Sequence, residues 1–197
     1  MYKIVVYREK NSKIKGEEIM SSNNLGKQFE KRFKEACEKE NIFYHRISDS
    51  PTSFSGGFTQ FTNKSLADAF IFYDKNLFVV EFKSTKYKSF TIEKSKEEKK
   101  MIHLHQINNL IRAEEYDDVN GCFVFNFREQ DGNDIIDERT YLIGIKDFSN
   151  FVSDNDKSSI NEQNIIDYNG IEIESVKKRK WFSYNVKDAL NKFLQKG

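Results

Sequence analysis

Two cysteines, one proline, one tryptophan and three histidines among 197 residues leave several chemistries without material. Cys37 and Cys122 each fall inside an apolar pattern. They offer neither zinc spacing nor a disulfide framework, and are read as small buried residues of a reducing compartment. No run approaches the ~18 apolar residues of a membrane span, and Met1–Tyr7 is too brief for a secretory signal, so the expected location is cytoplasmic, with no membrane partner. An excess of one charge is also missing. Thirty-two Lys and Arg against 31 Asp and Glu give a formal net charge of +1, although 32% of residues are charged. Such a surface mixes both signs, and whole-chain electrostatics does not announce a nucleic-acid binder. Internal repeats and a domain-splitting linker are absent, and the length suits one domain with a sizeable core.

The periodicities that are present give an order of elements. Residues 1–23 are read as an amino-terminal arm (with a strand-like Tyr2–Tyr7), and residues 24–197 as the folded domain. From Asn24, a plausible cap, Phe29, Phe33, Ala36 and Cys37 recur at spacings of three and four, one apolar stripe of a helix bordered by Glu30. Ile42–Ile47 reads as a strand. A turn-rich segment follows, with Pro51 and Gly56-Gly57, and then two strand-like runs, Leu66–Tyr73 and Leu77–Ser84. The pattern predicts a helix within Glu93–Glu115, on Met101, Leu104, Ile107 and Ile111. Gly121–Arg128 and Thr140–Lys146 are predicted strands around a polar loop, Asp147–Val152 a short helix and Ser153–Asn164 an exposed loop. Asn185, with Asp188 three residues on, starts a last amphipathic helix through Phe193. A hairpin followed by a helix and another strand implies an α/β fold, a mixed central sheet flanked by helices.

The hairpin carries the chemistry. A turn at Lys75-Asn76 sets Asp68 opposite Lys83 and Phe70 opposite Glu81, so Asp68, Glu81 and Lys83 project from one face. Cross-strand neighbours lie roughly 5 Å apart and diagonal ones ~7–8 Å, near enough for one cation to collect both carboxylates. These are hard oxygen ligands suited to Mg2+, with Mn2+ as a substitute, and the Phe82 carbonyl could complete part of the sphere. Lys83 could orient a water or neutralise a phosphate, and Glu30 could reach the metal through a water or hold a second ion. The bland alternative is that Asp68 and Lys83 form a cross-strand ion pair in a partly exposed sheet. Taken together, the acid beside a helix stripe, the Asp, the Glu-x-Lys step and the following helix favour a metal-dependent nuclease.

This set resembles the PD-(D/E)XK nuclease superfamily and, more finely, the RecU-type Holliday-junction resolvases of Gram-positive bacteria and their phages. Gly26-Lys27-Gln28-Phe29-Glu30 is similar to that family's first-helix motif, and Ser50-Pro51-Thr52 to the step before its stalk. Asp68 matches its metal-binding aspartate, Glu81-Phe82-Lys83 its Glu-x-Lys pair, His105-Gln106-Ile107 its His-Gln-Ile, and Gly170-Ile171-Glu172-Ile173 a carboxy-terminal stretch. The resemblance implies a restriction-endonuclease-like core and a homodimer that nicks four-way DNA junctions symmetrically with magnesium. Gln106 would then face the active site. The segment between Phe54 and Ser65 departs from the pattern: it carries one lysine, Lys64, where the bacterial stalk is longer and more basic.

The basic residues expected to touch DNA are Lys64, Lys86, Lys88, Lys177, Lys178, Arg179 and Lys180, although such runs are also ordinary solvated faces. Gln106 could hold a water or phosphate, or simply cap local polar groups. Phe54, Phe58 and Phe61 could wedge between bases or pack a dimer interface, and Trp181 could stack or bury its ring. His103 and His105, two apart, would face different directions on a helix and make a poor metal pair; they and His45 read as structural or DNA-facing. Rival functions are another nuclease of the superfamily acting on linear or flapped DNA, and a non-catalytic DNA-binding protein.

Overall fold

The structure is a computed structural model that describes residues 22–47, 65–94, 100–132, 134–179 and 181–196. The chain runs α1 (Ser22–Lys39), β1 (Phe43–Arg46), β2 (Ala69–Tyr73), β3 (Asn76–Thr85), β4 (Ser89–Thr91), α2 (Leu104–Ala113), β5 (Val119–Asp131) and β6 (Asp134–Gly144). It continues through α3 (Ile145–Asp154), β7 (Ser159–Asn161), α4 (Glu162–Asp167), β8 (Ile171–Glu172), β9 (Ser175–Lys177), β10 (Phe182–Tyr184) and α5 (Val186–Leu194). Six strands form the central sheet in the order β1-β2-β3-β5-β6-β8. Only the β3–β5 pair is parallel, which makes the sheet mixed, as expected. The parallel step is where the chain crosses over through α2.

Alternation along the strands builds two cores. Ala69, Ile71, Phe78, Val80, Phe82, Cys122 and Val124 face α1, whose stripe of Phe29, Phe33, Ala36 and Cys37 packs there together with α5 and the β9–β10 hairpin. Val79, Phe123, Phe125 and Phe127 face the other way, against Ile107 and Leu110 of α2, Phe148 and Phe151 of α3, and the small β4–β7 sheet. Both cysteines are buried and unbridged, and burial pushes both thiols up. No described helix is long and apolar enough to cross a membrane.

Several boundaries differ from expectation. Helix α1 begins at Ser22, two residues before the expected cap. The second helix is shorter than its polar lead-in suggested. Ile92 bridges Ile102, and Thr91 accepts the N–H groups of Met101 and Ile102 at 3.1 and 2.9 Å, so the helix starts only at Leu104 and buries Ile107, Leu110 and Ala113. Ile111 is exposed. The expected polar loop between the fourth and fifth predicted strands is instead the outer half of a long β5–β6 hairpin, bulged at Glu129/Gln130. The expected loop at Ser153–Asn164 contains β7 and the start of α4. Asn185 does cap α5, accepting the Asp188 N–H at 3.4 Å. The arm, the turn-rich segment with Pro51, and Phe54, Phe58 and Phe61 lie outside the described residues.

Gly121 lets α2 approach the sheet. A Cβ there would stand 2.4 Å from the Leu110 carbonyl oxygen and 3.1 Å from Ile145 Cγ2. Gly121→Ala is therefore expected to cost about 1–3 kcal/mol by pushing α2 outward. Urea unfolding checks this, and a change within ~0.5 kcal/mol would mean the helix has room to move.

Candidate active site

The β2–β3 hairpin turns on Asp74-Lys75, with φ of 46° and 65°, the pair of positive angles that a two-residue turn of the I′ kind requires. Asn76 Nδ2 donates to the Asp74 carbonyl at 2.8 Å, and Asn76 itself pairs with Tyr73. The turn therefore lies one residue earlier than expected, and the register moves by two. Phe70 pairs with Val79 rather than Glu81, and Ala69 with Val80. An even shift leaves every side chain on its expected face. The ladder ends at Ala69–Val80, and Asp68 lies beyond it as an irregular position whose carboxylate is close enough to Glu81 to help raise its carboxyl. The ion pair that Lys83 makes is with Glu81, its neighbour two residues back on β3.

Asp68 sits one residue before β2 and, at this irregular position, bonds the backbone on both sides. Its N–H donates to the Val80 carbonyl at 3.1 Å, and its carbonyl accepts from Ile47 at 2.9 Å. Its Oδ2 accepts the Phe82 N–H at 2.8 Å. The N–H and C=O of one strand residue point to the same edge, so the Phe82 carbonyl lies on the Asp68 side of β3. The Phe82 ring turns into the α1 core, edge-on to Phe29 and Phe33.

Glu81 is only 4% exposed, beside Phe123 on the parallel neighbour β5. Burial first, and then the Asp68 carboxylate, push its carboxyl up to about 7; Lys83 pulls the other way, as do its hydrogen bond and that of Gln106. Lys83 Nζ donates to Glu81 Oε1 at 2.9 Å. The Gln106 side-chain amide nitrogen donates to the same oxygen, while its Oε1 accepts the His103 N–H at 3.0 Å. One end of Gln106 thus caps α2, as local capping would have it, and the other bonds the Glu81 carboxylate. Glu93 Oε2 steadies that helix start, accepting the Leu104 N–H at 3.2 Å and contacting His103 Nδ1 at 2.9 Å. His103 is a cap residue outside the helix, so its ring stacks on His105 with centroids 5.4 Å apart, contrary to the divergence expected of two helical positions.

Glu30 stands on the α1 side. It is paired with Arg46 at 3.2 Å, and its carboxyl is raised by burial and then by Asp68. It is within electrostatic reach of Asp68, at the margin of the group. Among the described residues, no three His, Cys, Asp or Glu side chains converge on one point. The donor set is two neighbouring carboxylates and one strand carbonyl. That set is made of hard oxygen donors of the kind that bind magnesium or manganese.

The basic residues divide. Lys86 and Lys88 are exposed just beyond β3, flanking Tyr87, with Lys86 Nζ 5.7 Å from that ring. Lys177, Lys178 and Arg179 lie on the β9–β10 hairpin, which packs beside α1. The tryptophan between that run and β10 leaves its ring half exposed and does not bury it. Lys64 and Lys180 lie outside the described residues.

Arg46 was not foreseen, although it alternates with Tyr44 on the face that meets Glu30. Arg32 was also missed. It is buried and bonded to Glu138, which also accepts the Tyr184 hydroxyl. Its position one turn from Gln28 and Ala36 on α1 was the available signal.

No family model matches the chain. It is similar to the SPbeta prophage-derived uncharacterized protein YotM of Bacillus subtilis (strain 168), with 28% identity over 189 residues that cover 90% of each chain. Among solved structures it is similar to Archaeoglobus fulgidus Hjc, a Holliday junction resolvase from an archaeal hyperthermophile, with 11% identity and a TM-score of 0.45 over 75% of this chain and 95% of that one. Neither likeness assigns an activity to this chain.

Proposed function

We propose that this chain is a divalent-metal-dependent DNA endonuclease that resolves four-way junctions as a homodimer. The observation that carries the reading is Asp68 beside Glu81, its Oδ2 on the adjoining Phe82 N–H, with Lys83 and Gln106 bonded to Glu81. Asp68, Glu81 and the Phe82 carbonyl would hold magnesium or manganese. A cation held by these groups would supply Lewis-acid polarisation of the scissile phosphate. Lys83 supplies a full positive charge in a partly buried setting, where it stabilises charge developing on a phosphate oxygen. Gln106, fixed at the start of α2, orients Glu81 and offers its amide to the substrate. Glu30, tethered by Arg46, supports the metal shell from the α1 side. Lys64, Lys86, Lys88 and the run Lys177 to Lys180 contribute phosphate contacts. Two symmetric nicks need two such sites. The exposed pair Phe43 and Phe72, facing each other at the sheet edge, is apolar surface that a second copy would cover.

A mobile four-way junction, a flap and a plain duplex of the same sequence, incubated with and without magnesium, test the reading. Paired nicks in the junction only, and only with the metal, are expected. Equal cutting of all three would move the assignment to another nuclease of the superfamily. Binding without magnesium-dependent nicking would leave a DNA-binding protein.

A further inference from the structure

A cleft of about 830 Å3 opens between α1, the outer end of β6 and the β9–β10 hairpin, and neither Asp68 nor Glu81 lines it. Cations stand on both walls, Lys31 and Arg32 on α1 and Lys177 and Arg179 on the hairpin, and outnumber the two acids of the lining, Asp134 and Glu35, the latter paired with Lys31 at 3.9 Å. Its rim carries Trp181, 52% exposed, the chain's one tryptophan.

Arg32, in the cleft wall, belongs to a buried charged group whose other members lie behind the lining. Arg32 is 8% exposed and bonds Glu138, yet its Nε has no partner among the described residues. Arg128, directly across the β5–β6 ladder from Glu138, buries Nε and one terminal nitrogen without partners there. One carboxylate between two guanidinium groups leaves an uncompensated positive charge in a desolvated place, a costly arrangement unless an anion comes to it. Burial lowers the Arg128 pKa, in keeping with that excess.

We propose that this cleft binds a single DNA strand, with a phosphate over Arg32 between the lysine and arginine walls and a base stacked on Trp181. The choice of DNA rests on the nuclease reading above. A single strand fits better than a duplex for two reasons. The volume is that of a small-ligand pocket, ~300–1,000 Å3, whereas the major groove of a duplex is by itself ~12 Å wide. Further, a half-exposed indole can stack only on a base whose face is free, as in an unpaired strand. The site would then hold strand flanking a branch, apart from the phosphate being cut.

The full chain without metal, titrated with a twelve-residue oligothymidylate, tests this through the fluorescence of Trp181. Saturable quenching is expected, with little from a duplex of equal phosphate content. With a labelled oligonucleotide read by anisotropy, Trp181→Ala should weaken binding roughly 5- to 150-fold, the value of one stacked base, and Trp181→Phe should restore most of it. Lys177→Ala and Arg179→Ala should each lower the salt slope by about one. Glu81→Gln, outside the cleft, should bind the oligonucleotide as the parent does, so that loss of cleavage and loss of strand binding are separate results. Equal quenching by duplex or by tripolyphosphate alone, or unchanged affinity in Trp181→Ala, would overturn the proposal whatever the nuclease assay shows.

Discussion

Glu81→Gln and Asp68→Asn are each expected to lower metal-dependent junction cleavage by ~10^3-fold or more, while binding of the junction stays within a few-fold of the parent. Both substitutions keep the shape of the side chain and remove its charge. Asp68 keeps its backbone bonds to Val80 and Ile47, and an amide oxygen can still accept the Phe82 N–H. Loss of cleavage would therefore report lost charge rather than lost fold. Quantitative nicking under single-turnover conditions, with junction binding measured alongside in a metal that does not support cleavage, checks this. Cleavage within ~10-fold of the parent in both variants would reject the pair as the metal site.

Glu81→Gln should also stabilise the metal-free protein at alkaline pH. The folded carboxyl sits near 7 against an ordinary value of 4.5, because burial and Asp68 penalise its charged form. A group raised in this way favours folding most below ~4.5 and loses that contribution as pH rises through ~7. At pH 8 in chelator the variant should exceed the parent by roughly 1–3 kcal/mol, and at pH 4.5 the two should converge. The gain is held down because Lys83 loses the carboxylate it now bonds at 2.9 Å. Metal should act oppositely on the two proteins: at 100 times its Kd it stabilises the parent by ~2.7 kcal/mol and leaves the variant unmoved. Urea unfolding at both pH values, with and without manganese, gives all of these quantities. Parallel pH profiles for the two proteins would show that Glu81 does not carry the buried charge.

That expected cost accords with a protein that puts charge where a ligand belongs. The same trade recurs behind the cleft beside α1, where Arg32 bonds Glu138 and Arg128 buries its guanidinium nearby.

Much of the frame was legible along the chain because its signals are local. The stripe of Phe29, Phe33, Ala36 and Cys37 declares α1, and alternation in the hairpin assigns Asp68, Glu81 and Lys83 to one face even with the turn misplaced by a residue. Strand parity survives an even slip, which is why the acids read as a group although the expected Phe70–Glu81 pairing does not form. The outer β5–β6 hairpin was missed because it runs past the core, where Glu129, Asp131, Asp134 and Asp137 have no apolar face to reveal a strand. The start of α2 was hidden by its lead-in, whose bridge from Ile92 to Ile102 is a tertiary contact with no periodic signature. Arg32 and Glu138 lie 106 residues apart, and no local pattern joins them. Gln106 was legible as a residue of interest, but its double engagement depends on α2 lying over β3.

Anomalous diffraction from crystals grown with manganese tests the central claim most directly. The expected result is a manganese peak between the carboxylates of Asp68 and Glu81 and the Phe82 carbonyl, absent from crystals of the Asp68→Asn/Glu81→Gln double variant. A peak elsewhere, or one that persists at this position in the double variant, would contradict it.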